Sequence, residues 1–463
     1  MLSRTGQLLL AVLLSCFSHI SKADDSTMFR KISDEIMLRG KCYENLRSLC
    51  KNIGHRLSGT PEAEKAVLWA QITLKEAGAD TVWLQPVEVP YWYRGKELLS
   101  VQFPGSQEFV QVPALSLGNS EGTKGQLWEA ELFICHDLKT LQETPADQIK
   151  GKIVFFNFRF PQEHVNTFHG YGQTARYRSI VPNTASAKGA LAVIIRSVST
   201  GEDDVPHTGV MSYADSVKPI PAMAIGNFTA NKLEKSIHKG KIRVRMQSEC
   251  TMKEPVLSYN VIGEIKGSVF PEEIIIAGGH LDSWDVGEGA HDDGSGCVQS
   301  IEIIRTFKQL GIKPKRTIRA VMFMNEENGL KGGIAYADSA KAAQEKHIFA
   351  LESDAGAGAP RGIGLKMSEA RRNFVRQFRH LFLPYGVYDF EQQYGGADIS
   401  PLEKQGVPVA GLYPDPQRYF DLHHTSADVF EAVNHRELKL GAVAMTQLIY
   451  LVSEYGLGEE VTD

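Results

Sequence analysis

Apolar and polar positions change rhythm three times along the chain. Between Thr60 and Gly78 the apolar residues Ala66, Ala70 and Leu74 recur at helical spacing. Thr60, Pro61 and Gly78 supply the cap, the first-turn proline and the terminating glycine of that helix. Trp83–Trp92 reads as a strand, confined to a sheet edge because Pro86 and Pro90 lack the N–H an interior strand must donate. From about 100 to about 250 the texture is of short strands broken by Pro and Gly. They are Leu132–Cys135, Ile153–Phe158, Leu191–Ile195 and Ile242–Met246, with a small-residue helix near Asn183–Gly189. Beyond about 258, apolar strands alternate with amphipathic helices. Glu273–Ala277, Thr317–Met324, Ile348–Leu351 and Val407–Leu412 are the strands. Val298, Ile301, Ile304 and Phe307 mark one helical stripe, and Arg436–Tyr455 forms the last helix. This alternation predicts an α/β fold with a mostly parallel sheet and helices on both faces. Residues 51–99 and 251–463 would form that host domain, and 100–250 a β-rich module inserted into it.

At 463 residues the chain is long enough for two or three domains. A net charge of −5 removes the electrostatic footprint of a nucleic-acid binder. The N-terminus carries Arg4, an apolar run from Leu8 to Phe17 and the small residues Ser21 and Ala23. That run is too short to span a bilayer and reads as a secretory signal over residues 1–23, leaving no stable membrane anchor. Residues 24–50, with Phe29, Ile32, Ile36 and Met37 at helical spacing, read as a helix or as part of a removable pro-segment. Export would place Cys42, Cys50, Cys135, Cys250 and Cys297 in an oxidising compartment. Cys42 and Cys50 are near enough in sequence to bridge, and a free buried pair is the alternative. Asn227-Phe228-Thr229 is a glycosylation sequon.

In a sheet of this kind ligands bind beyond the carboxyl ends of the strands. Polar residues gather at those points: His280 and Asp282, then Asp292 and Asp293, Glu326 and Glu327, Asp354, and late in the chain His423 and His424. Imidazole and carboxylate together suit zinc. Their number exceeds what one tetrahedral ion needs and fits two Zn2+ per chain sharing a carboxylate. A lone His-x-Asp or Glu-Glu is a weak sign. Their recurrence at consecutive strand ends carries the argument. His291 and His423 are read as loop residues beside the ligands.

The series His280-x-Asp282, Asp292-Asp293-x-Ser295-Gly296, Glu326-Glu327-x-Gly329, Glu352-Ser353-Asp354 and His424-Thr425 resembles the co-catalytic zinc aminopeptidases and glutamate carboxypeptidases. Arg56-Leu57-Ser58-Gly59 is similar to the entry motif of that family. Gly151-Lys152-Ile153-Val154 and Ala185-Ser186-Ala187-Lys188-Gly189-Ala190 resemble a protease-associated domain, so the inserted module is expected to be one. The chain departs from the family at Asp293, where many relatives carry Asn. The resemblance implies Asp292 as the shared carboxylate, His280 and Asp354 on one zinc, and Glu327 and His424 on the other. It implies Glu326 as general base and Asp282 as the residue that orients His280. It further implies hydrolysis of short peptides, most simply as a carboxypeptidase on unblocked dipeptides, by a homodimer made with a pro-segment. Such an enzyme would be secreted, with lysosome, endoplasmic reticulum and Golgi as further locations. An aminopeptidase on the same scaffold and a non-catalytic receptor-like ectodomain remain open at this point.

Overall fold

The computed structural model describes residues 25–458; the signal read over residues 1–23 lies outside them. Two sheets organise the chain. The first has seven strands, in the order Thr81–Tyr93, Thr251–Ile265, Arg316–Phe323, Phe270–His280, Lys346–Glu352, Val409–Pro414 and Pro360–Lys366. Side chains alternate across it as the pleat requires. Ile275 and Ala277 join the core shared with helices Pro61–Ala77, Ser295–Gln309 and His435–Tyr455. Ile274 and Ile276 face Tyr336, Ala337 and Ala340 of helix Lys331–Ala342 on the other side. Helices therefore cover both faces, as the sequence predicts.

The sheet is mixed where a mostly parallel one is expected. Its four central strands, 316–323, 270–280, 346–352 and 409–414, are parallel. The three outer strands join antiparallel. At one edge the cause is the route of the chain. Thr81–Tyr93 leads out towards the second sheet, Thr251–Ile265 leads back, and the two run side by side as a long ribbon. Thr81–Tyr93 has a partner on one side only, and its register slips between Val89 and Tyr91, around Pro90. That is where a strand containing proline is tolerated.

Helix Pro61–Ala77 begins with the Thr60 hydroxyl accepting from Ala63 N–H at 3.3 Å and ends at Gly78 in the left-handed region (φ 93°). The helices 25–39 and Cys42–Asn52 bury Phe29, Ile32, Ile36, Cys42, Leu46, Leu49 and Cys50 in the same core as the sheet. All five cysteines of the described residues are free and buried, Cys42 and Cys50 included.

The second sheet has eight strands, all drawn from residues 97–248. Trp128–Cys135, Ile153–Phe156, Ala192–Arg196 and Ala222–Ile225 run parallel in its middle. This region is more helical than its short strands suggest, with helices Thr167–Thr174, Tyr177–Ala187 and Asn227–Ile237. One of its cores takes in Phe156, Phe158 and Phe160 together with Tyr419 and Phe420 from the far end of the chain. That contact presses residues 160–178 against the strand ends of the first sheet. Among the described residues no helix is long and apolar enough to cross a membrane.

Candidate metal centre

His280 closes strand Phe270–His280, Glu326 and Glu327 follow strand Arg316–Phe323, and Asp354 lies two residues past strand Lys346–Glu352. Asp292 sits in the turn that opens helix Ser295–Gln309, and His424 two residues past helix Tyr419–Leu422. The topology brings these groups to one point. His280 Nε2 is 3.2 Å from Asp292 Oδ1 and 3.5 Å from Asp354 Oδ1. On the opposite side of Asp292, His424 Nε2 is 3.1 Å from Asp292 Oδ2 and 3.1 Å from Glu327 Oε2. Asp292 thus turns one oxygen to each histidine–carboxylate pair, as a shared ligand must.

His423 is the competing donor, with Nε2 at 3.6 Å from Asp292 Oδ2. Its ring lies flat on that of His424, centroids 3.5 Å apart and planes at 22°. His423 Nε2 stands farther from Asp292 than His424 Nε2 does, and no second carboxylate lies within ion-pair distance of it among the described residues. His424 has the carboxylate partners, and His423 is its packing neighbour. His291 accepts from Ala357 N–H through Nδ1 at 3.1 Å, its Nε2 is without a hydrogen-bond partner, and it stands outside both groups of donors gathered around Asp292.

Supporting bonds fix the ligand atoms. His280 Nδ1–H donates to the backbone carbonyl of Asp282 at 2.9 Å, which leaves Nε2 free for a metal. His424 Nδ1 faces the carbonyl of Thr208 at 3.3 Å, with the same result. It is thus the backbone carbonyl of Asp282 that orients His280, and the Asp282 carboxylate, 3.9 Å from the ring, has a further task. It accepts the backbone N–H groups of Asn325, Glu326 and Glu327 at 2.7, 3.1 and 3.4 Å, and so shapes the turn that carries both glutamates. Asn325 at φ 72° lets the chain make that turn. Asp428 accepts from the N–H groups of His291 and Asp292 at 2.7 and 3.1 Å, and holds the Asp292 loop. Arg56, fully buried, donates to the carbonyls of Leu281, Glu288 and Gly289. The Arg56–Gly59 motif is therefore a brace for the loops under the site.

Electrostatics agree with a cation site. Burial and then the neighbouring carboxylates, Asp292 foremost, push Glu327 well above the ordinary carboxylate range. Burial, then the charges of Asp354 and Asp292, does the same to Glu326. Burial opposes ionisation of Asp292, but the His280 hydrogen bond and the adjacent His424 imidazole outweigh it and hold the carboxyl well below its usual value. Asp292 Oδ2 is buried and faces His424 without the angles of a hydrogen bond. Several buried carboxylates crowded on two imidazoles, one with an oxygen left over, fit zinc.

Sequence reasoning did not single out the groups that residues 100–250 bring here. His207 Nδ1 meets the carbonyl of His423 at 2.7 Å. Tyr171 packs edge-on to His423, centroids 5.1 Å apart. Arg178, 3% exposed, donates through Nη1 to the Tyr171 hydroxyl at 3.2 Å, while its Nε and Nη2 have no hydrogen-bond partner. Among the described residues it forms no ion pair. Asn227 lies elsewhere, at the start of helix Asn227–Ile237, with its Oδ1 accepting from Arg196 at 2.8 Å and its Nδ2 donating to Gly201.

A parallel-centred sheet with buried imidazoles and carboxylates at its strand ends defines an α/β protein with a candidate metal centre at the carboxyl ends of its strands. The chain belongs to peptidase family M28, whose model matches residues 260–449. Carboxypeptidase Q of Homo sapiens is 33% identical over 417 residues, spanning 90% of this chain and 86% of the human protein. Carboxypeptidase Q of Xenopus laevis is likewise 33% identical over 417 residues, with the same shares of each chain. The crystal structure of a Peptidase M28 precursor from Shewanella amazonensis superposes with a TM-score of 0.88 at 34% identity, covering 95% of this chain and 98% of that one. A zinc aminopeptidase from Bacillus subtilis shares the fold, with a TM-score of 0.65 at 22% identity over 88% and 94% of the two chains. The protein is a zinc-dependent peptide hydrolase.

Proposed function

We propose that this enzyme is a di-zinc carboxypeptidase acting on short peptides, chiefly unblocked dipeptides, with export as its route. The observation that carries the reading is Arg178. A guanidinium buried without a counter-ion is costly unless an anion completes it, and this one sits beside Tyr171, His423 and His424. The free α-carboxylate of a peptide suits its two unpartnered N–H groups, as a fork-to-fork pair. An aminopeptidase would need an acid for the substrate amine and has no use for Arg178.

His280, Asp292 and Asp354 would hold one zinc, and Asp292, Glu327 and His424 the other. When bound, the metal pair supplies Lewis-acid activation of water and of the scissile carbonyl. Glu326, held by the Asp282 carboxylate through its backbone N–H, takes the proton from the attacking water and returns it to the leaving amine. Arg178 fixes the leaving residue by its carboxylate, and burial of the site by residues 160–178 excludes bulk water.

The relatives named carboxypeptidase Q support the direction of cleavage. The same reading includes a signal over residues 1–23, a protease-associated module over 100–250, a homodimer, and passage through the endoplasmic reticulum and Golgi to the medium or lysosome. A glycan on Asn227 fits this route, since a glycosylated amide keeps one N–H for the Gly201 carbonyl. A panel of unblocked dipeptides, N-blocked dipeptides and aminoacyl amides tests the proposal. Cleavage of the free-acid substrates far above the amides is expected. Amides cleaved as fast as acids would overturn it.

A further inference from the structure

A cavity of about 350 Å3 opens beside Asp354, on the opposite side of Asp292 from His424. Its size is that of a small-molecule site. Phe168, Tyr394, Tyr413 and Ala397 form its apolar lining, and His169 and Gln393 are among its polar groups. Asp354 is the only acidic or basic carboxylate, ammonium or guanidinium group in that lining, and it is committed to the metal centre. A larger cavity of about 670 Å3 lies beyond His291 but touches none of the proposed ligands.

The walls are fixed in advance. Tyr394 donates its hydroxyl to the Leu412 carbonyl at 2.6 Å. Phe168 stacks on Tyr419, centroids 5.4 Å apart and planes at 19°. Thr167 donates to the Pro416 carbonyl at 2.6 Å, pinning helix Thr167–Thr174 to the peptidase sheet. Gly395 is required by close approach, since a Cβ there would stand 2.6 Å from Val409 Cγ2. The one helix 167–174 presents Phe168 and His169 to the cavity and Tyr171 to Arg178, so it borders both ends of the site.

We infer that this cavity receives the side chain on the acyl side of the scissile bond and selects uncharged, aromatic or branched apolar residues there. The inference rests on the reading above, in which Arg178 holds the carboxylate of the leaving residue on the His424 side. A dipeptide laid across the metal pair then has its N-terminal side chain at Asp354. Aromatic walls reward apolar area removed from water, and with Asp354 committed to the proposed metal centre the lining offers no other carboxylate, ammonium or guanidinium to compensate a buried charge. The natural substrates are dipeptides whose first residue is hydrophobic.

The test is a set of Xaa-Ser dipeptides with Xaa as Phe, Leu, Gly, Lys or Glu, assayed for kcat/KM with the zinc-loaded full-length enzyme, and each repeated as its C-terminal amide. Phe-Ser and Leu-Ser are expected to exceed Lys-Ser and Glu-Ser by about tenfold or more. Ala397→Phe, which fills the cavity, should lower Phe-Ser relative to Gly-Ser by about tenfold. Gln393→Arg, at an exposed position of the rim, should raise Glu-Ser relative to Leu-Ser, and it carries the test if the first variant does not fold. Equal losses on every substrate, or a profile indifferent to Xaa, would overturn the inference. The ratio of free acid to amide reports the Arg178 reading separately: a lost ratio with the Xaa profile intact rejects that reading, and a lost profile with the ratio intact rejects this one.

Discussion

Replacing Arg178 by Met separates anchoring from packing. Methionine keeps most of the stem that lies over Tyr171, where the guanidinium carbon is 5.5 Å from the ring centroid, and removes the charge. In the free enzyme the guanidinium spends one N–H on Tyr171 and leaves Nε and Nη2 unpartnered in a buried place. Its loss should therefore leave stability unchanged or slightly raised, since burying an unpaired cation is unfavourable. With substrate bound the balance reverses. Removing one partner of a buried, hydrogen-bonded charge pair costs about 2–5 kcal/mol, which is roughly 30- to 5,000-fold in kcat/KM. The assay compares an unblocked dipeptide with its C-terminal amide and follows thermal unfolding in parallel. The dipeptide should fall by that factor, the amide should barely change, and the melting temperature should hold. Arg178→Lys, which keeps the charge without the planar fork, should fall between. Wild-type turnover of the free acid by Arg178→Met, or an equal loss on acid and amide, would refute the reasoning.

Glu326→Gln should retain zinc and lower kcat by about 10²–10⁴-fold, measured by metal analysis beside steady-state kinetics. Wild-type enzyme should carry close to two zinc ions per chain by mass spectrometry of metals, and Glu327→Ala, which removes a proposed ligand, should carry less. His347 should make the fold acid-sensitive: burial first, and the nearby Arg319 charge, bring its pKa down to about 4 from 6.5, and its Nε2 lies 2.9 Å from the Tyr336 hydroxyl. The unfolded chain takes up the proton first, so stability is full above about pH 6.5 and falls by up to about 3 kcal/mol as pH drops towards 4; urea titrations should show a smaller pH slope for His347→Gln. A chain beginning at Lys51 loses the buried Phe29, Ile32, Ile36, Cys42, Leu46, Leu49 and Cys50, and should be insoluble or melt far below the full enzyme, each large apolar side chain being worth about 1.5–3 kcal/mol; a soluble, active product of that length would show the segment to be removable.

Much of the candidate metal site was legible because the residues proposed as its ligands sit where apolar strands stop. His280, Glu326, Glu327 and Asp354 each follow a run of buried residues within two or three positions, and strand direction sends all of them to one end of the sheet. Helix Pro61–Ala77 was legible for a similar reason, since cap, proline and glycine act within a few residues of one another. The antiparallel outer strands were not. Strand direction depends on the route of the chain between strands, and the 81–93 and 251–265 ribbon is set by where the second sheet leaves and returns. The role of Asp282 was also hidden. The family resemblance implies that Asp282 orients His280, but not that it does so through its backbone carbonyl, which leaves the carboxylate for the 325–327 turn.

Arg178 shows why the remainder stays out of reach of spacing arguments. Nothing near it in sequence marks it: it stands in a helix of ordinary composition, 100 or more positions from every proposed ligand. Its meaning comes from three contacts made across the fold. Phe158 and Phe160 pack with Phe420 in one core, Thr167 is tied to Pro416, and His207 to the His423 carbonyl. Together they seat residues 160–178 and 207–208 over the strand ends, so a single arginine at position 178 meets the site built by the distant half of the chain. The peptidase sheet positions the groups that would hold the metal and move the proton. The region inserted between its edge strands positions the groups that would decide which peptide end, and which side chain, arrives there. Exchange of residues 161–178 between relatives should therefore move substrate preference while leaving zinc content alone, because none of the five proposed ligands lies in that stretch.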